Sequence, residues 1–297
     1  QALLPPFPMF LGLRLAEGAA HLALVIATPT LMAAITHPKD TSVAMGVWGT
    51  FFGVGFALTA LVAKIITAPA TLYLAHGLLA LGLAVVLWRL IPRQGGGSKQ
   101  NGVGFLAMHM EIYTSLKLVA PAAIFFWHTA TFLGLLTFMP RFLGDWTAPV
   151  LPLAALLGTL GAGVLARNHS PVLIAGAGFL LTALGMSAIA ASPAHLSALI
   201  ALPVFVVAGI PAGASFATGP WLNTDPTDRA RANGAITQTG NIGTAISTPL
   251  FAAALPLGVY GPLGLAITLS LSGFIVAFLL HKNLATRAVG IPSTRNL

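Results

Sequence analysis

Long apolar runs separated by short polar turns dominate the chain. Nine runs are predicted, at roughly 8–36, 41–66, 70–92, 117–140, 148–166, 171–191, 196–221, 230–256 and 260–281. They are about 20 residues or longer and do not alternate apolar with polar positions, so they read as membrane-crossing helices rather than barrel strands. In lipid the backbone must satisfy its own hydrogen bonds, and a helix does so within one segment. The breaks carry turn chemistry: His37-Pro38-Lys39-Asp40, Ala68-Pro69, Ser192-Pro193 and Asp225-Pro226-Thr227-Asp228. The longest break, about 93–116, opens with Arg93-Gln94-Gly95-Gly96-Gly97-Ser98-Lys99 and has the composition of a flexible linker. The predicted organisation is a partial N-terminal bundle of three helices over 1–92, a cytoplasmic linker over 93–116, and a six-helix C-terminal bundle with a short tail over 117–297.

Composition agrees with the pattern. Of 297 residues, 57% are hydrophobic and 7% charged. A soluble domain carries about 25% charged residues, so this chain cannot cover a water-facing surface. That excludes a soluble enzyme and a disordered protein. No cysteine is present, so there is no disulfide framework, thiol nucleophile or thiolate metal site. The chain opens at Gln1 with no basic segment ahead of its apolar core, and no signal peptide is expected.

The net charge of +8 has a topological reading. With the 93–116 linker placed in the cytoplasm, that side receives Lys39, Arg89, Arg93, Lys99, Lys117, Arg167, Arg229, Arg231, Lys282, Arg287 and Arg295. The opposite side receives Lys64 and Arg141. Such asymmetry predicts a cytoplasmic C-terminus, and no nucleic-acid partner is needed to explain the basic charge.

An internal repeat is also expected. At an offset of 188 residues Pro38 meets Pro226, Asp40 meets Asp228, Gly46 meets Gly234 and Gly55 meets Gly243. The second predicted helix thus matches the eighth, a period of six spans. Asp40 and Asp228 stand at helix starts and read as N-caps.

On these features the chain resembles a major facilitator superfamily transporter, whose halves are parallel six-helix repeats. The family's fourth helix carries an Arg, two residues, then Gln-Gly and small residues. Here Arg14-Leu15-Ala16-Glu17-Gly18-Ala19-Ala20 stands in the first predicted helix, with Glu in place of Gln. The glycine-rich run Gly46-Val47-Trp48-Gly49 to Gly53-Val54-Gly55 is similar to the fifth helix of the drug/proton antiporters, without its proline. Gly163-Val164-Leu165-Ala166-Arg167 resembles the loop motif between helices eight and nine, without its usual Asp. The resemblance implies an all-α polytopic membrane protein with major facilitator bundles, nine transmembrane helices matching helices four to twelve, and the first three missing. It also implies that Asp40 and Asp228 brace cytoplasmic gates.

Polar residues inside apolar spans are costly and are functional candidates. Arg14, Glu17 and His21 fall at i, i+3 and i+7 on one helix face. They supply a cation, a carboxylate and a group that titrates near neutral pH. The other reading is a structural ion pair near the interface. His128 shares a face with Phe125 and Phe132, as part of a solute site or of aromatic packing. Asn233, Thr237, Asn241, Thr244 and Thr248, with Gln238 beside them, line an aqueous path or glue helices together.

The predicted function is secondary active transport of a small polar or anionic solute by alternating access, coupled to protons. Arg14, His128, Gln238 and Asn241 would bind the solute, and Glu17 and His21 would couple protons. The alternatives are proton-antiport efflux of hydrophobic compounds and a non-transporting receptor-like or assembly protein. Metalloprotease, nucleophile-elbow, phosphate-loop and paired-carboxylate motifs are absent, so neither enzyme activity nor a cofactor or metal site is expected. The expected setting is the inner (plasma) membrane, as a monomer whose partners are the lipid bilayer and a small-molecule substrate.

Overall fold

The computed structural model describes residues 1–90 and 104–289, which are almost wholly helical. The opening of the predicted linker, from Arg93 to Lys99, and the tail from 290 onward lie outside the described residues. Among the described residues nine helices have 19 residues or more. They are α1 (Phe7–Ile35), α2 (Thr41–Ile65), α3 (Pro69–Leu90), α5 (Leu116–Phe138), α7 (Thr147–Leu165), α8 (Pro171–Ala191), α9 (Ala194–Leu222), α10 (Pro226–Ala254) and α11 (Tyr260–Val289). Two short helices complete the set, α4 (Phe105–Thr114) and α6 (Pro140–Leu143).

Eight of the nine are long and apolar enough to cross a membrane. The ninth, α10, has the length at 29 residues but not the apolarity. Several of its polar side chains bond to other helices, Asn233 to α1, Thr239 and Ser247 to α5, and Gln238 and Arg231 to α4, which is how a polar helix can stand within a bundle. Within the predicted linker, Phe105–Thr114 form the helix α4.

Turn prolines set several helix starts. Pro69, Pro171 and Pro226 each stand at the first helical position, where the missing N–H costs nothing. The capping expectation needs correction. Asp225, not Asp228, caps α10: its carboxylate accepts from the Thr227 and Asp228 N–H groups at 2.7 and 3.3 Å. Those two bonds hold the Asp225 carboxyl below its ordinary value. Asp40 stands before α2 without capping it and pairs instead with Arg167. His37 caps the 3-10 turn Pro38–Asp40 that leads into α2, its Nδ1 accepting from the Lys39 N–H at 3.4 Å.

His37 and Asp225 are themselves 188 residues apart, so the repeat extends to the caps. Adding 188 to the bounds of α1 gives 195–223, against Ala194–Leu222 for α9. The same shift carries α2 to 229–253, inside α10, and α3 to 257–278, overlapping α11. Contacts obey the repeat as well. α1 lies on α10 and α2 lies on α9, two contacts that exchange when the halves exchange.

Helices α5 and α7–α11 pack as one bundle. Leu135, Met139, Leu151, Phe205 and Phe251 fill one part of its core, and Ile124, Ala162, Val172, Phe179 and Ala214 another. A third cluster joins the bundle to α1, α2 and α4, through Ala33, Met45, Ile112, Phe216 and Ile236. α3 has no buried residue.

Candidate solute-binding cleft

Where α1 and α2 meet the larger bundle, a narrow cleft remains. Its walls are aromatic: Trp48, Phe51 and Phe52 from α2, Phe125 from α5 and Phe216 from α9. Trp48 stacks on Phe51 at 4.8 Å and meets Phe216 edge-on at 6.4 Å. Phe125 lies 5.0 Å from Phe216. Polar groups enter at His21 from α1, Thr129 from α5, and Thr237, Asn241 and Thr244 from α10. The free space is about 60 Å³, with a neighbouring lobe of about 20 Å³ reaching His128. A drug-sized solute needs several hundred cubic ångströms, so it enters only if the helices part.

One polar atom in this wall is an orphan. The Trp48 indole nitrogen is buried and has no hydrogen-bond partner among the described residues. A buried donor without an acceptor costs about 1–3 kcal/mol, which a bound acceptor or a water recovers. Sequence reasoning missed Trp48. An indole within an apolar helix is unremarkable until its neighbours are known.

The predicted site residues separate into four groups. His21 and Asn241 line the cleft. His128 is buried between Phe125 and Phe132, with ring centroids 5.8 and 4.9 Å away, and borders the smaller lobe.

Gln238 faces away from the cleft. Its amide oxygen accepts from the Tyr113 hydroxyl at 2.6 Å, and its amide nitrogen lies 3.3 Å from His109 Nε2, both on α4. Gln238 thus ties α10 to α4, and it is not among the side chains that line the cleft. Arg231, seven residues earlier on the same face, pairs with Glu111 of α4 at 3.0 Å.

Arg14 and Glu17 also lie elsewhere, on the side of α1 that meets α3. Arg14 pairs with Glu17 at 2.8 Å, donates to the Tyr73 hydroxyl at 2.9 Å, and stands over the Phe10 and Tyr73 rings. Glu17 accepts a second bond from Gln1 at 2.7 Å. They line an open hollow between α1 and α3, and neither borders the cleft. The charge of Arg14 is met by Glu17, outside the aromatic walls.

The polar side chains of α10 divide between its faces. Thr239 donates to the Ala122 carbonyl at 3.0 Å, and Ser247 donates to the Ala130 carbonyl and accepts from the Gly134 N–H, both at 2.8 Å. These are glue to α5. Thr237, Asn241 and Thr244 look into the cleft. Asn233 donates to Thr30 of α1 at 3.1 Å and bridges the two helix groups.

Asp40 and Arg167 bridge the same groups through an ion pair at the basic end of the molecule. The two positions that the resemblance picked out separately thus touch. Among the described residues no cluster of three metal-ligating side chains occurs. Residues 1–224 match the family model described as Major Facilitator Superfamily. No curated protein matches the chain.

Proposed function

The chain belongs to the major facilitator superfamily, a family of membrane transporters, and from that premise we propose that it moves a small amphipathic, aromatic or apolar solute bearing a hydrogen-bond acceptor. The observation that carries this reading is the orphan Trp48 indole in an aromatic wall opposite Thr237 and Asn241. The solute's rings would stack on Trp48, Phe51, Phe125 and Phe216, and its acceptor would take the indole N–H. Asn241, and His128 from the smaller lobe, would complete the recognition.

The energy would come from an ion gradient, with two helix groups rocking about the cleft. His21 is the proton-linked candidate because it alone of the predicted pair borders the cleft. The reading as a carrier of a polar anion loses its main support, since Arg14 and its partner Glu17 line the hollow beside α3. The charge asymmetry of the loops supports an orientation with the basic end in the cytoplasm.

The test is transport by proteoliposomes under an imposed proton gradient. A neutral aromatic dye with a carbonyl acceptor should move, and a small radiolabelled carboxylate should not. Trp48→Phe keeps the ring and removes the N–H, and should weaken apparent dye affinity about fivefold, the worth of one hydrogen bond of about 1 kcal/mol. Carboxylate uptake abolished by Arg14→Gln, with no dye movement, would overturn the proposal.

A further inference from the structure

A second concavity lies at the basic end, away from the cleft. Its free space is about 550 Å³, and it opens between the end of α1, the start of α2, the end of α7 and the α9–α10 turn. Three cations line it: Lys39, Arg167 and Arg229. One carboxylate answers them, Asp40 on Arg167. Arg229 spends its Nε on the Asn223 carbonyl at 2.9 Å. Neither Arg229 nor Lys39 has a carboxylate partner among the described residues. Ser42 and Thr224 bring hydroxyls to the same space, while those of Thr36 and Thr41 donate to the Met32 and His37 carbonyls.

We propose that this concavity binds the headgroup of an anionic phospholipid. Two unanswered cations beside the Ser42 and Thr224 hydroxyls suit a phosphodiester. The surroundings select a lipid over a soluble anion. Trp221 lines the concavity and is 49% exposed, as an indole at a membrane–water interface is. From there the seam of α2 against α7 runs away flanked by exposed Val47, Val54, Leu157, Val164 and Leu165, a bed for acyl chains. Basic pockets between transmembrane helices are suited to such headgroups.

The site has a mechanical consequence. Lys39 belongs to the first helix group, and Arg167 and Arg229 to the second. A headgroup held by both favours the arrangement in which this end is closed, because it loses one set of contacts when the groups part. None of this depends on what the cleft carries.

The experiment is thermal unfolding of the purified protein in mixed micelles. Phosphatidylglycerol should raise the midpoint by about 3–5 °C, as expected for a ligand near tenfold above its Kd. Phosphatidylcholine should not raise it, nor should inorganic phosphate at an ionic strength of about 0.15 M. Lys39→Gln with Arg229→Gln should abolish the response. Lys39→Gln alone, an exposed change that spares the Asn223 contact, should reduce it by about half. Equal shifts from the two lipids, a full shift from phosphate alone, or an undiminished response in Lys39→Gln would each overturn the proposal.

Discussion

Two helix pairs in this molecule hold together by opposite means. α7 and α9 meet backbone to backbone: a Cβ on Gly209 or Gly213 of α9 would overlap the Ala155 or Thr159 carbonyl of α7. Thr159 donates across the contact to the Gly209 carbonyl at 3.0 Å. α1 and α3 meet through long polar side chains, with Arg14 between Glu17, Tyr73 and Phe10, and no residue of α3 is buried. Lipid tails are as apolar as leucine, so helix association in a membrane rests on close packing and polar links rather than on expelling water. The first pair uses packing and the second uses links. The difference bears on function too. Arg14 and Glu17 are spent on each other and on Tyr73, whereas Trp48 in the cleft keeps its donor unspent.

The largest expected effect breaks the first pair. Gly209→Val would push two backbones apart, and no side-chain rotation relieves a clash with a carbonyl. The expected loss is about 3 kcal/mol or more, the upper range for overpacking. Titrating the detergent-purified protein with SDS and following helicity would measure it. A variant as stable as the parent would mean that α7 and α9 are not in backbone contact.

Breaking the second pair should cost less. Arg14→Leu removes the Glu17 and Tyr73 contacts, and polar contacts in membranes average about 0.6 kcal/mol each, so about 1–2 kcal/mol is expected. The same titration applies, and a second readout separates structure from chemistry. Dye transport by the surviving folded fraction should match the parent, because Arg14 does not border the cleft. A variant that folds fully yet transports nothing would place Arg14 in the transport step.

How far the sequence reveals this arrangement depends on direction. Helix starts were legible because turn prolines and polar breaks are local signals, as at Pro69, Pro171 and Pro226. The repeat was legible because it is a pattern along the chain, though Asp225 rather than Asp228 caps α10, and His37 caps the 3-10 turn ahead of α2. A helical stripe says which residues share a face and not what that face meets. Arg14, Glu17 and His21 share a stripe, yet the first two line the hollow beside α3 and the third lines the cleft. The bond of Gln238 to α4 had no signal in the sequence, because α4 follows a glycine-rich opening that reads as linker. Trp48 had no signal of its own, because an orphan is defined by its surroundings.

The smallest expected effect sharpens the comparison most. Gly77 of α3 is helical, and a Cβ there meets nothing within 4 Å. Glycine inside a helix loses more conformational freedom on folding than alanine, so Gly77→Ala should stabilise by about 0.5–1 kcal/mol. That is the opposite sign from Gly209→Val, for the same kind of change. The sign follows from the space around each position rather than from glycine itself. A loss of stability in Gly77→Ala would mean that some further segment or subunit lies close against that face of α3 in the membrane. α3 would then belong with α9 in the close-packed class, and the polar links of Arg14 would be only part of what holds it.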